Sequence, residues 1–410
     1  MKTLRRFGLV FLASLLLLLL TLGVLLQAAE GEWAHRVRLG PLQYRLALAP
    51  VLKVLMQPQI IHVLHGREMA SPWGRLYWQE EARGRLQLQC RPCRVQIPAL
   101  SEQALDFSVI TLSLQRDDEV LIGELRLSSR VGLHFRAPFD AQGMQLHAQL
   151  PATAIVDIYT LFGPSIPELA RARIQGTLAM DIGVKLPAAT YSIQPSLQNF
   201  RVSGLGTELL RSRLPQVQCP GAPLAAFASA GRWLPRAVIA AEDQRFYQHP
   251  GYDLRELLAS LQRNHLRTSI ARGGSTLDQQ LAKLLFTGSE RTHVRKLREL
   301  LYAVEMEETL GKARILKIYL AVAPWGKNIC GAENAARVYY GKPAAQLNRA
   351  EAAWLAAMLH TPDREFRRWK NSGHPDVKRG SWVVSAMGGG KQAQQAAVLM
   401  LASLAPPPAF

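Results

Sequence analysis

The repeat distance of the apolar residues changes once along the chain, and that change decides what each part can become. From about residue 84 to 205 the repeat is two. In "RIQGTLAMDIGVKL" Ile174, Leu178, Met180, Ile182, Val184 and Leu186 share one parity, as do Val131, Leu133 and Phe135 in an earlier run. Successive side chains of a strand point to opposite faces, so these runs predict strands with one buried face. In "RLQLQCRPCRVQI" the apolar set passes from Leu86, Leu88 and Cys90 to Cys93, Val95 and Ile97. That shift of parity across Pro92 predicts a bulge or bend. After about residue 220, near "QCPGAPLA", the spacing turns helical, as in "LRELLASLQ", "LDQQLAKLLF", "VRKLRELLYAVEMEETL" and "RAEAAWLAAMLH". The expected fold class is α+β multidomain, a β-rich middle followed by a mainly α part, with weak and mixed signals after about residue 370.

Residues 8–28, "GLVFLASLLLLLLTLGVLLQA", are an apolar run of the length a helix needs to cross a bilayer. Lys2, Arg5 and Arg6 precede it and Glu30 and Glu32 follow, so the positive-inside bias puts the amino terminus in the cytoplasm and the bulk of the chain outside. The run is longer than the apolar core of a cleavable signal peptide and ends "LLQAAEG", which favours an uncleaved anchor. Domains are expected at 1–30 (cytoplasmic stub and transmembrane anchor), 31–220 (β-rich and extracytoplasmic), 221–370 (helical) and 371–410 (tail). With 49 Lys+Arg against 31 Asp+Glu the net charge is +18, which suits nucleic acid, anionic lipid head groups or a phosphorylated substrate and chooses none of them. Of the four cysteines, Cys90 and Cys93 form a C-R-P-C pair. It reads either as a small disulfide loop or as two half-buried thiols, and a zinc site lacks two further ligands at metal spacing.

Three stretches of the helical part combine residue types that carry chemistry. In "VIAAEDQRFYQHPGYD" Glu242 and Asp243 follow an apolar run that reads as a helix wall. A carboxylate leaving such a wall has its pKa raised by desolvation and suits a general base, although an exposed charge at a helix end fits the same local pattern. In "RGGSTLDQQLAKLLF" Gly273 and Gly274 free the backbone, Ser275 or Thr276 can cap the next helix, and Gln279, Gln280 and Lys283 lie within about a turn. Free amides there, with Arg272 and Lys283 close by, suit phosphate oxygens. In "HVRKLRELLYAVEMEE" Arg295, Lys296 and Arg298 are neighbouring cations, and Glu299 stands four residues after Arg295 on one helical face. That is either an i,i+4 ion pair or a second carboxylate beside phosphate-binding forks.

Together and in this order these stretches resemble the family 51 glycosyltransferases, the peptidoglycan polymerases. "EDQRFYQHPG" is similar to the family's first motif, "GGSTLDQQLAK" to its second and "RKLRE" to its third. "KARILKIYL" and "WGKNICGAENAARVYYGKPAAQLNRAEAAWLAAMLHTP" are similar to the fourth, the fifth and the closing segment. The resemblance covers about residues 231 to 363. In penicillin-binding proteins a second domain uses a Ser-x-x-Lys nucleophile, and no serine here has lysine three residues later. The resemblance is therefore to the monofunctional type, without transpeptidase activity. It implies a lysozyme-like helical domain that polymerises lipid II into glycan strands, inverting the anomeric carbon and releasing undecaprenyl pyrophosphate.

On that resemblance Glu242 is the general base and Glu299 assists departure of the diphosphate, directly or through a divalent cation, magnesium or manganese. Arg245, Lys283, Arg295 and Lys296 neutralise the diphosphate. Ser275, Thr276, Gln279 and Gln280 position sugar and phosphate, with Asp243, Phe246, His249 and Gly274 as further substrate-binding positions. The partners implied are lipid II, the growing strand, membrane lipid and cell-wall synthesis proteins, with no nucleic acid, at the periplasmic face of a bacterial inner membrane. The chain departs from many relatives at Leu284 and Ala321, where asparagine is usual, at Lys317, where glutamate is common, and at Asn328, where glycine is common. A weakly active lipid II-binding scaffold is the alternative function. Leu284 and Phe286 are expected to dip into the membrane interface beside the second motif.

Overall fold

The computed structural model describes residues 27–39, 42–81, 84–95, 104–215, 229–259, 274–290 and 292–406. All but the last two residues of the expected transmembrane run lie outside them, as do Arg272, Gly273 and the "QCPGAPLA" junction. No helix among the described residues is long and apolar enough to cross a membrane. These residues form two compact units, one of those up to Gly163 with Gly176–Asn199, the other of Pro164–Gln175 with those from Phe200 onward.

The first unit is β-rich, as the period of two requires. It opens with the hairpin β1 (Ala34–Leu39) and β2 (Leu42–Ala47), then two short helices, α1 (Leu48–Leu55) and α2 (Pro58–Leu64). The main sheet contains β3 (Glu68–Ser71), β4 (Gly74–Glu81), β5 (Arg85–Val95), β6 (Leu105–Phe107), β7 (Ile110–Asp117), β8 (Val120–Arg126), β9 (Gly132–Pro138), β10 (Met144–Ala154), β11 (Arg173–Leu186) and β12 (Thr190–Ser203). Its order is β12-β11-β10-β9-β8-β7-β5-β4-β3, with β6 on β5, a meander in which most sequence neighbours pair. The parities align across the sheet: Leu114 pairs with Leu86 and with Gly123, and Leu146 with Val184. The apolar face so assembled packs Leu86, Leu121, Ala137 and Phe139 against Ala49, Met56 and Ile61 of α1 and α2. At Pro92 the expected bulge is present, since Gly74 pairs with Cys93 but Leu76 with Cys90. Cys90 and Cys93 are joined across it by a disulfide, which decides between the two readings of that pair.

The second unit is helical. After α3 (Ile155–Thr160) of the first unit, its own helices are α4 (Trp233–Glu242), α5 (Leu277–Ala282), α6 (His293–Val322), α7 (Ala332–Tyr340), α8 (Arg349–Met358), α9 (Pro362–Ser372), α10 (Val377–Ala386) and α11 (Lys391–Ala402). Helix α8 is the hub. Its residues from Ala350 to Met358 are all buried, which is why "AEAAWLAAM" has no polar face. Leu234, Ala237 and Val238 of α4 are fully buried with it, and Trp354 meets the edge of Trp369 from α9 at 5.7 Å. The stretch after residue 370, whose sequence signals were weak, contributes α10 and α11, with Val383, Val384 and Leu401 fully buried. Asn328 has φ 65°, in the left-handed region that asparagine tolerates better than most residues and glycine enters without strain.

Gly251 brings the first-motif loop onto α6. Its φ is +85°, and a Cβ there would lie 2.7 Å from the Ala303 carbonyl oxygen. Its own carbonyl accepts a hydrogen bond from Thr276 Oγ1 at 2.8 Å. Gly251→Ala is expected to destabilise the helical unit by about 1–3 kcal/mol, through strain and a backbone clash. Thermal unfolding should show a lower midpoint, whereas Gly373→Ala (φ +75°, nothing within 4 Å of a Cβ) should shift it less.

Candidate active site

Helix α4 ends at Glu242 because the chain turns there into the loop that holds Asp243, Arg245 and His249. The apolar wall behind it, Val238 to Ala241, removes water from the carboxylate. Burial pushes the Glu242 pKa up, with Asp243 adding to the rise, while a hydrogen bond from Gln280 and the charge of Arg379 pull it down. Gln280 Nε2 donates to Glu242 Oε2 at 3.1 Å, and Tyr319 Oη donates to Gln280 Oε1 at 2.9 Å. The amide is thereby locked in one orientation, and Glu242 Oε2 faces a donor.

Glu242 borders two hollows. The larger, about 810 Å³, is lined by Ser275, Gln280, Lys283, Leu284, Arg295 and Lys296 from α5, the turn after it and α6, and by Arg364, Arg368, Lys378, Arg379 and Trp382 from α9 and α10. The smaller, about 120 Å³, is lined by Asp243, Arg245, Asp253, Gly274, Ser275 and Thr276. A carboxylate at the junction of a cation-rich hollow and a second hollow can take a proton from a group in one while anionic charge is held in the other.

The cations are arranged over a buried carboxylate. Glu299 has no exposed side-chain surface and is paired with Arg295 and with Lys296, the latter at 2.7 Å. Lys296 also donates to Ser275 Oγ at 2.5 Å. Burial lowers the Lys296 pKa to about 8, helped by the neighbouring charges of Arg295 and Lys283. The Arg295–Glu299 spacing is thus an i,i+4 ion pair, and its Arg295, with Lys296, lines the hollow. Lys283 opens a π-helical turn, Lys283–Thr287, that follows α5 directly, and Lys283 and Leu284 of that turn line the hollow.

The other expected residues build the frame. Thr276, rather than Ser275, caps α5, in a reciprocal capping box with Gln279. The amides expected to meet phosphate are already used, Leu277 N–H by Asp243 Oδ2 at 2.9 Å and Gln279 N–H by Thr276 Oγ1 at 3.2 Å. Arg245 is held by Asp253 in a two-bond fork, and Arg298 faces Glu168 instead of the hollow. His249 Nε2 donates to Asp243 Oδ2 at 3.0 Å, and Phe246 is fully buried beneath the Lys312 ammonium, 4.5 Å from its ring centre. Leu284 lines the larger hollow, and Phe286 stacks on Tyr302 at 4.2 Å, so that ring is engaged inside the unit.

Asp243, His249 and Asp278 place one ligand atom each within 4.8 Å of one another. Lys312 Nζ fills the cation position of that cluster, 3.3 Å from Asp278 Oδ2 and from His249 Nδ1 and 2.8 Å from Glu307. With an ammonium in place and Asp243 bound to Leu277 N–H, these residues do not fit a divalent metal ion. Glu299 has both its oxygens facing cations of the chain and does not fit one either.

Tyr319 from α6 and Arg364, Arg368, Lys378, Arg379 and Trp382 from α9 and α10 have no counterpart among the residues singled out from sequence. Tyr319 stands within "KARILKIYL", where nothing in its residue type marks it, and the others lie outside the short motifs, where the one local signal, the density of Arg and Lys from 364 to 379, looks like any solvated helix face.

Residues 222–387 match the family model described as Transglycosylase. A protein of Nitrosomonas eutropha named "Biosynthetic peptidoglycan transglycosylase" is 49% identical over 129 residues, 32% of this chain and 53% of the relative. Its namesake in Azoarcus sp. is 45% identical over 149 residues, 36% and 64% of the two chains. In Thiobacillus denitrificans the figures are 47% over 129 residues, 32% and 56%. The chain thus spans between about half and two thirds of the length of these relatives.

Replacing Gln280 by Leu removes the hydrogen bond that favours ionised Glu242. The Glu242 carboxyl is expected to titrate at higher pH in that variant, followed by NMR of ¹³C-labelled glutamate, with Tyr319→Phe moving it less. An unchanged midpoint would show that the amide does not stabilise the carboxylate.

Proposed function

We propose, from the match of residues 222–387 to the Transglycosylase family model, that the protein is a monofunctional peptidoglycan glycosyltransferase that polymerises lipid II. The observation that carries this reading is Glu242, desolvated and hydrogen-bonded, at the edge of a hollow walled by Lys283, Arg295 and Lys296. The acceptor's 4-hydroxyl gives its proton to Glu242 as its oxygen attacks the anomeric carbon of the growing strand from the face opposite the leaving group. The bond to the lipid diphosphate breaks, its electron pair stays on the diphosphate oxygen, and Lys283, Lys296 and Arg295 stabilise that charge. Glu299 acts from below the surface, holding Arg295 and Lys296 in place. The Asp243–His249–Asp278 cluster, with Lys312 in its cation position, does not fit a magnesium or manganese ion, and the proposed transfer rests on the chain's own side chains.

The apolar run at 8–28 and the basic residues before it support a single-pass anchor in a bacterial inner membrane with the enzyme on the periplasmic side. The Cys90–Cys93 disulfide, with no free cysteine among the described residues, suits that oxidising compartment. Membrane lipid and cell-wall synthesis proteins are the neighbours this placement implies.

Detergent-solubilised full-length protein incubated with labelled lipid II is expected to give long strands on a gel. Bound but unchanged lipid would select the scaffold instead. Glu242→Gln should cut turnover by about 10² to 10⁴ while leaving lipid II binding near the parent value. Turnover within threefold of the parent would remove Glu242 from the role of base.

The pH dependence of turnover should be bell-shaped. Activity needs Glu242 ionised, so it rises as pH passes the raised pKa of that group. It also needs Lys296 charged, so it falls as pH passes about 8. Lys296→Arg should remove the alkaline fall, because a guanidinium stays protonated throughout that range.

A further inference from the structure

Two segments that precede the family-matched residues in sequence grip helix α6 from outside the hollow. In residues 164–175, Glu168 is 3% exposed and receives Arg298 on both oxygens, Nε at 2.9 Å to each and Nη2 at 2.8 Å to Oε1. Three residues on, Arg171 Nη2 donates to Tyr302 Oη at 3.0 Å. In the second segment, Leu205 and Thr207 donate their amides to the buried Glu305 at 2.7 and 3.3 Å, and Arg211 Nε donates to Thr309 O at 2.6 Å.

The grip bears on the cation-bearing wall. Arg298 is the residue before Glu299 on α6, one step of about 100° around the helix. Tyr302 lies flat on Phe286, ring centres 4.2 Å apart and 6° from parallel. Phe286 belongs to the π-helical turn that starts at Lys283. One short segment therefore touches, through Arg298, the turn of helix that bears Arg295, Lys296 and Glu299 and, through Tyr302 and Phe286, the turn that bears Lys283. A fork with two donors and two acceptors fixes rotation as well as distance, which a single contact does not.

We propose that Glu168 and Arg171 are positioning residues for the reaction: they set the spacing of Lys283 against Lys296, and so the fit of the wall to a diphosphate. This rests on the polymerase reading above. Both residues lie before residue 222, so the matched family segment alone lacks part of what orders its own cleft.

The test uses the full chain in three variants, Glu168→Gln, Tyr302→Phe, and Glu168→Gln combined with Arg298→Met. Each is measured for kcat and KM on lipid II, for binding of inorganic pyrophosphate, and for thermal midpoint. Misplacement of groups that stabilise the leaving charge is expected to lower kcat about 10- to 100-fold in Glu168→Gln with KM changed much less, and to weaken pyrophosphate binding. Tyr302→Phe, which removes only the acceptor of Arg171, should give a smaller loss in the same direction without unfolding. The double variant leaves no unpaired buried charge and should recover thermal stability while kcat stays low. A pair that serves stability alone would return both together, and that outcome overturns the proposal, as do parent-like kcat and pyrophosphate affinity in Glu168→Gln and Tyr302→Phe. A parent that binds pyrophosphate without polymerising lipid II, with affinity still lowered in Glu168→Gln, would keep the positioning role and remove the polymerase reading. A parent that neither polymerises nor binds pyrophosphate would remove both.

Discussion

Glu299 has no exposed side-chain surface, and the cleft depends on that single buried charge. An ionised carboxylate is costly to bury unless cations and hydrogen bonds compensate it, so Arg295 and Lys296 cannot leave their places without exposing the cost. Removing one partner of such a pair typically costs about 3–5 kcal/mol. The same attraction that satisfies Glu299 from below brings Arg295 and Lys296 close together and, with Lys283, up to one wall of the hollow. Cations so placed repel one another, and burial with that repulsion lowers Lys296 to about 8. Such a wall gains most when an anion arrives, which is the property the proposed transfer asks of it.

At Glu242, which lines the same hollow, the opposite problem is solved by the opposite means. Glu242 is desolvated by the apolar end of α4 and kept usable by Gln280, which Tyr319 orients. Behind it Asp243, His249, Asp278, Glu307 and Lys312 form a network in which the lysine ammonium supplies the positive charge. That network joins the first-motif loop to α5 and α6, so Glu242 and the cations belong to one packed body. Its framework of Ala303, Gly251, Thr276 and the buried helix α8 leaves little freedom for either side to shift.

Much of this was legible in the sequence, for a physical reason. Periods of two and of 3.6 are set by local backbone geometry, so the β-rich middle, the helical end and the bulge at Pro92 could be read directly. Glu242, Gln280, Lys283, Arg295 and Lys296 sit in short motifs whose members meet in space because they are neighbours on one helix or turn. Direction was less legible. Gln279 and Thr276 spend their polar atoms on a helix cap, His249 and Phe246 face inward, Arg245 is taken by Asp253, and Arg298 turns to Glu168, none of which residue type alone decides. Arg379, Lys378, Trp382 and Tyr319 reach the hollow by tertiary packing of α6, α9 and α10, and Glu168 comes from a stretch with no periodicity at all. Leu284 lines the hollow where relatives often carry asparagine, and the structure gives no reason for that choice.

The central claim is that the wall of Lys283, Arg295 and Lys296 receives the diphosphate while Glu242 faces the attacking hydroxyl. A crystal structure of the full chain with a non-hydrolysable lipid II analogue tests it most directly. Diphosphate oxygens within hydrogen-bond distance of Lys283 and Lys296, with a sugar 4-hydroxyl within about 3 Å of Glu242, are what the account predicts. Diphosphate seated on Arg364 and Arg368 instead, with Glu242 facing no sugar hydroxyl, would contradict it.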